Sequence, residues 1–254
     1  MGRKVSPCDD RRRSLTIRQH QRYGSSIDWT GGLGSIELNP SDATSISQRG
    51  EAYRLLERYE DARSDLNRVI ELNPHDFSAY VSLGLVNLAQ DRNEEALAKL
   101  ARAIELEPNN AYAIGLVGWT NRILGRHQEA LLSLNHAIEL NQNSASTIAS
   151  CGWVYLQIGW YDEALTDLNR AVELDETNTF IIGDRGETYR QMGRYDEALT
   201  DFNRAIELDE TNAFTIGGRG ETCRQMGRDK ETLADLNHAA ELDKEDDWNL
   251  LVEG

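Results

Sequence analysis

Cysteine, proline and positive charge are all scarce in this chain. Its three cysteines, Cys8, Cys151 and Cys223, stand too far apart for a disulfide framework or a metal-binding spacing. Reduced thiols and a cytoplasmic location are the expectation. No apolar run approaches the roughly 20 residues of a membrane span, and no apolar h-region stands near the N-terminus, so neither a membrane span nor secretion is expected. The five histidines, His20, His75, His127, His136 and His238, are scattered, and no enzyme or cofactor motif accompanies them. Gly31-Gly32-Leu33-Gly34 is not followed by the Gly-Lys-Ser/Thr of a phosphate loop. No catalytic residue, metal site or cofactor is therefore expected.

Lys and Arg number 27 against 43 Asp and Glu, for a net charge of −16. Seven of the basic residues fall within residues 1–22, against Asp9 and Asp10, so that segment carries 7 − 2 = +5 and the remainder −16 − 5 = −21. A body so acidic repels nucleic acid and anionic membrane, which excludes both as partners.

Three of the four prolines, Pro40, Pro74 and Pro108, are 34 residues apart. The same interval carries Glu37-Leu38 to Glu71-Leu72, Glu105-Leu106, Glu139-Leu140, Glu173-Leu174, Glu207-Leu208 and Glu241-Leu242 without insertion or deletion. A strict period of this size marks a stack of supersecondary units. Counting Ala43 as the first position, six full repeats run 43–76, 77–110, 111–144, 145–178, 179–212 and 213–246. Each holds two amphipathic segments with apolar residues three and four apart, the spacing of helices. Repeat position 8 is glycine six times, from Gly50 to Gly220, and position 20 is alanine five times, from Ala62 to Ala198, with Thr232 last. A helical glycine costs up to about 1 kcal/mol against alanine. Its sixfold recurrence predicts two antiparallel helices in close approach.

This pattern resembles the tetratricopeptide repeat family. The fourth repeat carries it most fully, with Gly152, Tyr155, Tyr161, Ala164, Leu168 and Ala171 at the characteristic places, and the resemblance spans 204 of the 254 residues. It implies an all-α, right-handed superhelical solenoid of helix–turn–helix hairpins. One departure is the proline near the repeat's end, which is absent after Pro108. The expected organisation is an irregular or disordered basic segment over 1–36 containing a degenerate repeat, the array over 37–246, and a short cap or truncated seventh repeat over 247–254.

The resemblance also implies function. Family members bind protein segments along a concave face lined by the first helix of each hairpin. The corresponding residues here are Val81, Leu85, Tyr112, Leu116, Trp119 and Trp153, followed by Phe180, Asp184, Glu187 and Phe214. They suggest an apolar, aromatic centre that gives way to an acidic end, and so a protein or peptide partner with basic flanks. The Lys and Asn side chains with which some relatives clamp chaperone C-termini are absent from these places. The expected role is a non-catalytic interaction scaffold. A self-assembling structural protein, associating through its C-terminal face at Leu233, Leu236 and Ala240, is one alternative, and a regulatory subunit of an enzyme on another chain is a second. Within the array, arginine at repeat position 7 (Arg49, Arg185, Arg219) occurs only with aspartate at position 23 (Asp65, Asp201, Asp235), which predicts ion pairs inside hairpins. The competing partner for Arg185 is Asp167.

Overall fold

The computed structural model describes residues 42–252, with side-chain surroundings for 42–242. The expected irregular segment 1–36 and its basic run lie outside the described residues. The described residues form twelve helices: α1 Ala43–Leu55, α2 Tyr59–Leu72, α3 Phe77–Ala89, α4 Asn93–Leu106, α5 Ala111–Ile123, α6 His127–Leu140, α7 Ala145–Ile158, α8 Tyr161–Leu174, α9 Thr179–Gln191, α10 Tyr195–Leu208, α11 Ala213–Gln225 and α12 Asp229–Val252. The expected all-α hairpin architecture is present. Two compact bodies divide after Leu140, one holding α1–α6 and the other α7–α12.

Local chemistry starts and stops each helix. Every first helix is capped by a side-chain oxygen that accepts from the backbone N–H three residues on: Asp42 from Ser45 (3.1 Å), Asp76 from Ala79 (2.9 Å), Asn110 from Ala113 (3.1 Å), Ser144 from Thr147 (3.4 Å), Asn178 from Ile181 (3.3 Å) and Asn212 from Thr215 (3.2 Å). The turn inside each hairpin passes through a left-handed residue at repeat position 15. Glycine fills it four times (Gly125, Gly159, Gly193, Gly227), while Glu57 and Asp91 adopt φ 59° and 56° without that freedom.

The turn between repeats explains how proline can be dispensed with. At repeat position 31, the side-chain oxygens of Asn73, Asn141, Asp175 and Asp209 accept from the N–H two residues on, at 3.0–3.4 Å. Such a turn needs no proline. The last repeat has Asp243-Lys244-Glu245-Asp246 where the two before it have Asp-Glu-Thr-Asn. There α12 continues unbroken to Val252, a 24-residue helix where its counterparts have 14. The helix runs through the place at which the earlier repeats turn. The residues that elsewhere bend the chain, threonine and a capping asparagine, have been exchanged for Glu245 and Asp246, and glutamate is a good helix former.

Packing follows the small residues. A Cβ on Gly118 would stand 2.6 Å from Leu134 Cγ, and one on Gly50 would stand 3.1 Å from Leu66 Cγ, so the glycine lets the two helices of a hairpin close. Opposite it, Leu66, Leu100, Leu134, Leu168 and Phe202 are sealed from solvent. In the first body, Ile46, Leu66, Val69, Leu83 and Val86 form one cluster, and Tyr80, Val81, Leu100, Ala113 and Leu116 the next. Within the bodies, second helices pack on the first helix of the following repeat, α2 on α3 and α4 on α5 in one body, α8 on α9 and α10 on α11 in the other. First helices also meet one another directly, α1 with α3, α7 with α9 and α9 with α11. They therefore form the inner face within each body.

Candidate functional site

The inner face of the first body is built from α1, α3 and α5. Here the structure corrects part of the expected lining. Val81, Leu116 and Trp119 are buried, the tryptophan to 4 % exposure. Trp119 packs with Leu88 and Ala96, with Leu85, Ala89 and Ile123 around them. The gap beside the preceding hairpin is wide enough for an indole, and filling it removes more apolar area from water than leaving the ring in the groove. These three side chains hold repeats together. Leu85 remains partly exposed and Tyr112 is 49 % exposed.

Tyr112 is half exposed and yet feels two charged groups of α1. Although half its surface meets water, burial raises its phenol pKa, with Arg54 pulling down and Glu51 pushing up. Those two residues lie on α1, two repeats earlier in sequence. Arg54, itself buried, donates through Nε to Glu51 at 2.9 Å, and Glu51 also accepts from Ser82 Oγ on α3 at 3.1 Å. One hydrogen-bonded group thus ties α1 to α3.

In the second body Trp153, Phe180, Asp184, Glu187 and Phe214 are all partly exposed. The expected acidic end is charge-balanced here. Glu187 accepts from Arg190 Nε and Glu221 from Arg224 Nε, each at 2.8 Å. The Glu221 carboxyl is held below its usual range by Arg224, with Arg190 of the neighbouring repeat adding to the effect. The spacing of three residues on one helix was readable in sequence and points to these pairs.

The predicted ion pairs are present. Arg49 meets Asp65 at 2.6 and 2.7 Å, Arg185 meets Asp201 at 2.7 Å twice, and Arg219 meets Asp235 at 2.8 and 2.7 Å, each as a two-pronged contact. The Asp167 alternative for Arg185 is not formed. Instead Arg185 donates a third bond to Asn169 Oδ1 at 3.0 Å, and Arg219 repeats this with Asn203 at 2.9 Å. These bonds lace each hairpin to its predecessor, a role that sequence reasoning missed. In the fourth repeat Cys151 replaces the arginine. There burial pushes the Asp167 carboxyl up to about 6 and the Cys151 thiol up to about 12. Among the described residues no group of three or more His, Cys, Asp or Glu could hold a metal ion, and no helix is long and apolar enough to cross a membrane.

Tetratricopeptide-repeat family models match residues 48–111, 111–144, 149–178 and 183–212. The chain belongs to the tetratricopeptide repeat family. Among curated proteins none matches it. Solved tetratricopeptide structures share its fold. YrrB, described as a TPR protein with an unusual peptide-binding site, is 22 % identical with a TM-score of 0.56, over 74 % of this chain and 97 % of YrrB. The Cut9–Hcn1 hetero-tetramer of the APC/C gives a TM-score of 0.77 at 14 % identity, over 92 % of this chain and 44 % of its counterpart. PilW, a type IV pilus biogenesis factor, gives 0.71 at 15 % identity, over 76 % and 90 %. At these identities the likeness establishes the tetratricopeptide fold.

Proposed function

We propose that this chain is a non-catalytic scaffold that holds a peptide or helical segment of a partner protein against the inner faces of its first helices. The observation that carries this reading is Tyr112, an aromatic ring half open to water near the hydrogen-bonded group of Glu51, Arg54 and Ser82. A rigid, partly wet aromatic with a polar tip is the kind of group that anchors protein contacts. Leu85 adds an apolar contact in the same body. Trp153, Phe180 and Phe214, with Asp184 and Glu187 beside them, offer the equivalent surface in the second body. The net charge of −16 favours a segment with basic residues flanking its apolar anchor. The peptide-binding site named for YrrB is consistent with this use of the fold.

The test is a screen of displayed random peptides against the full chain, followed by affinity measurements on Tyr112→Ala and on Phe180→Ala/Phe214→Ala. Each buried anchor contributes about 1.5–3 kcal/mol, so at least one variant should weaken a selected peptide about tenfold or more. Peptides that bind both variants as tightly as the parent chain would remove the groove reading. Selected sequences without enrichment in Lys or Arg would remove the basic flank.

A second reading, association of two copies through α12, has its own support. Leu236 is 38 % exposed and Leu233 63 %, whereas the counterparts of Leu236 from Leu66 to Phe202 are at 0–1 %. Within each body, α2, α4, α8 and α10 each have the following first helix packed against them. Leu233→Glu/Leu236→Glu should convert any concentration-dependent dimer into monomer in sedimentation. A parent chain that is monomeric at about 100 μM excludes this reading.

A further inference from the structure

The turn within each hairpin carries an arginine at repeat position 16 in five repeats: Arg58, Arg92, Arg126, Arg194 and Arg228. In three of them a carboxylate three residues on holds the guanidinium. Arg58 Nε donates to Asp61 at 2.8 Å, Arg194 Nη2 to Glu197 at 2.8 Å, and Arg228 Nε to Glu231 at 2.8 Å. In two the guanidinium also lies on the tyrosine at position 11. Arg58 Cζ is 4.4 Å from the centre of the Tyr53 ring, and Arg194 Cζ is 4.6 Å from that of Tyr189. In these two turns the guanidinium is seated with an aromatic face for a floor and a carboxylate for a wall.

The fourth repeat keeps the floor and the wall and lacks the guanidinium. Position 16 is Trp160, stacked on Tyr155 with ring centres 5.9 Å apart and planes 11° from parallel. Trp160 is 54 % exposed, so a large part of the indole faces water. Glu163 stands where Asp61, Glu197 and Glu231 stand, but no arginine lies three residues before it. An open cleft of about 340 Å³ is lined by Gly159, Trp160, Tyr161, Asp162, Glu163 and Met192. Arg194, whose guanidinium feels Asp162, is already bonded to Glu197 and laid on Tyr189. Asp162 and Glu163 are thus left with little cationic compensation beside an exposed indole.

We propose that this cleft is a docking site for an arginine side chain of a partner protein, which stacks on Trp160 and pairs with Glu163. The choice of guanidinium comes from the chain itself, which seats that group on the same two elements in the turns of Arg58 and Arg194. A planar guanidinium can stack and hydrogen-bond at once, whereas a lysine ammonium is a hydrated point charge. The site lies at the hairpin turn, away from the inner face, so it stands or falls independently of the groove.

The full-length isotope-labelled chain, titrated by NMR with N-acetyl-arginine amide, should show saturable shifts at the Trp160 indole N–H and the Met192 methyl. The neutral isostere N-acetyl-citrulline amide should give none, and N-acetyl-lysine amide should bind at least about fivefold more weakly. Trp160→Arg installs the residue that five other repeats carry, so it should fold, and it should abolish the shifts. Glu163→Gln should weaken binding about threefold or more. Shifts that do not saturate by about 50 mM, equal binding of citrulline or lysine probes, or undiminished binding to Trp160→Arg would each overturn the proposal.

Discussion

Asp167 offers a direct measure of what the arginine ladder is worth. Four repeats carry aspartate at position 23, and three of those carboxylates are gripped by an arginine of the same hairpin. In the fourth, Cys151 occupies the arginine's place. Burial lifts the Asp167 carboxyl from 3.8 to about 6, with Arg170 pulling weakly in the other direction. The folded chain therefore binds this proton more tightly than the unfolded chain does. The contribution is most favourable below about pH 4 and is lost as pH rises through about 6. A difference of about two pH units corresponds to about 3 kcal/mol at neutral pH. Asp167→Asn keeps the size and removes the charge. It should stabilise the chain by about 1–3 kcal/mol at pH 7.5 and change little at pH 4. Urea melts followed by circular dichroism at both pH values, together with hydrogen exchange of the α7 and α8 amides, would read this. A gain of equal size at both pH values, or none at pH 7.5, would refute the reasoning. As a companion, Cys151→Arg should form the missing pair and bring the Asp167 carboxyl below 4 in a carbon-detected titration. If it still titrates near 6, repeat position 7 does not control position 23.

Three further outcomes follow from packing and pairing. Removing only the arginine in Arg185→Leu strands Asp201, which is 4 % exposed, and should cost about 3–5 kcal/mol in a denaturant melt, much of it recovered in Arg185→Leu/Asp201→Leu. Gly118→Ala drives a methyl to 2.6 Å from Leu134 Cγ and 3.0 Å from its backbone nitrogen, at a cost of about 1–3 kcal/mol. Gly217→Ala meets nothing nearer than Ala239 Cβ at 4.0 Å and should stabilise by about 0.5–1 kcal/mol, so opposite signs are expected from the same substitution. Trp119→Ala should lower stability by about 3–5 kcal/mol, because the ring is packed and not presented. A Trp119→Ala chain of unchanged stability with weakened peptide binding would return that residue to the groove.

The sequence by itself determined the repeat and its chemistry. A period of 34 leaves no freedom about which residues are equivalent, so the hairpin, its glycine contact and the Arg–Asp pairs at positions 7 and 23 follow from local spacing and covariation within one chain. Only the tertiary structure decided which inner-face residues meet water. Whether Trp119 lines a groove or fills a gap depends on the distance between neighbouring hairpins, which position 9 does not encode; Tyr112, at position 2, stays half open. The partners Asn169 and Asn203 likewise arise between repeats, where side chains far apart in sequence share one space. The unbroken run of α12 is a local effect that the repeat itself concealed. Periodicity extends a pattern past Asp243, but the turn needs particular side chains, and Glu245 and Asp246 have replaced them.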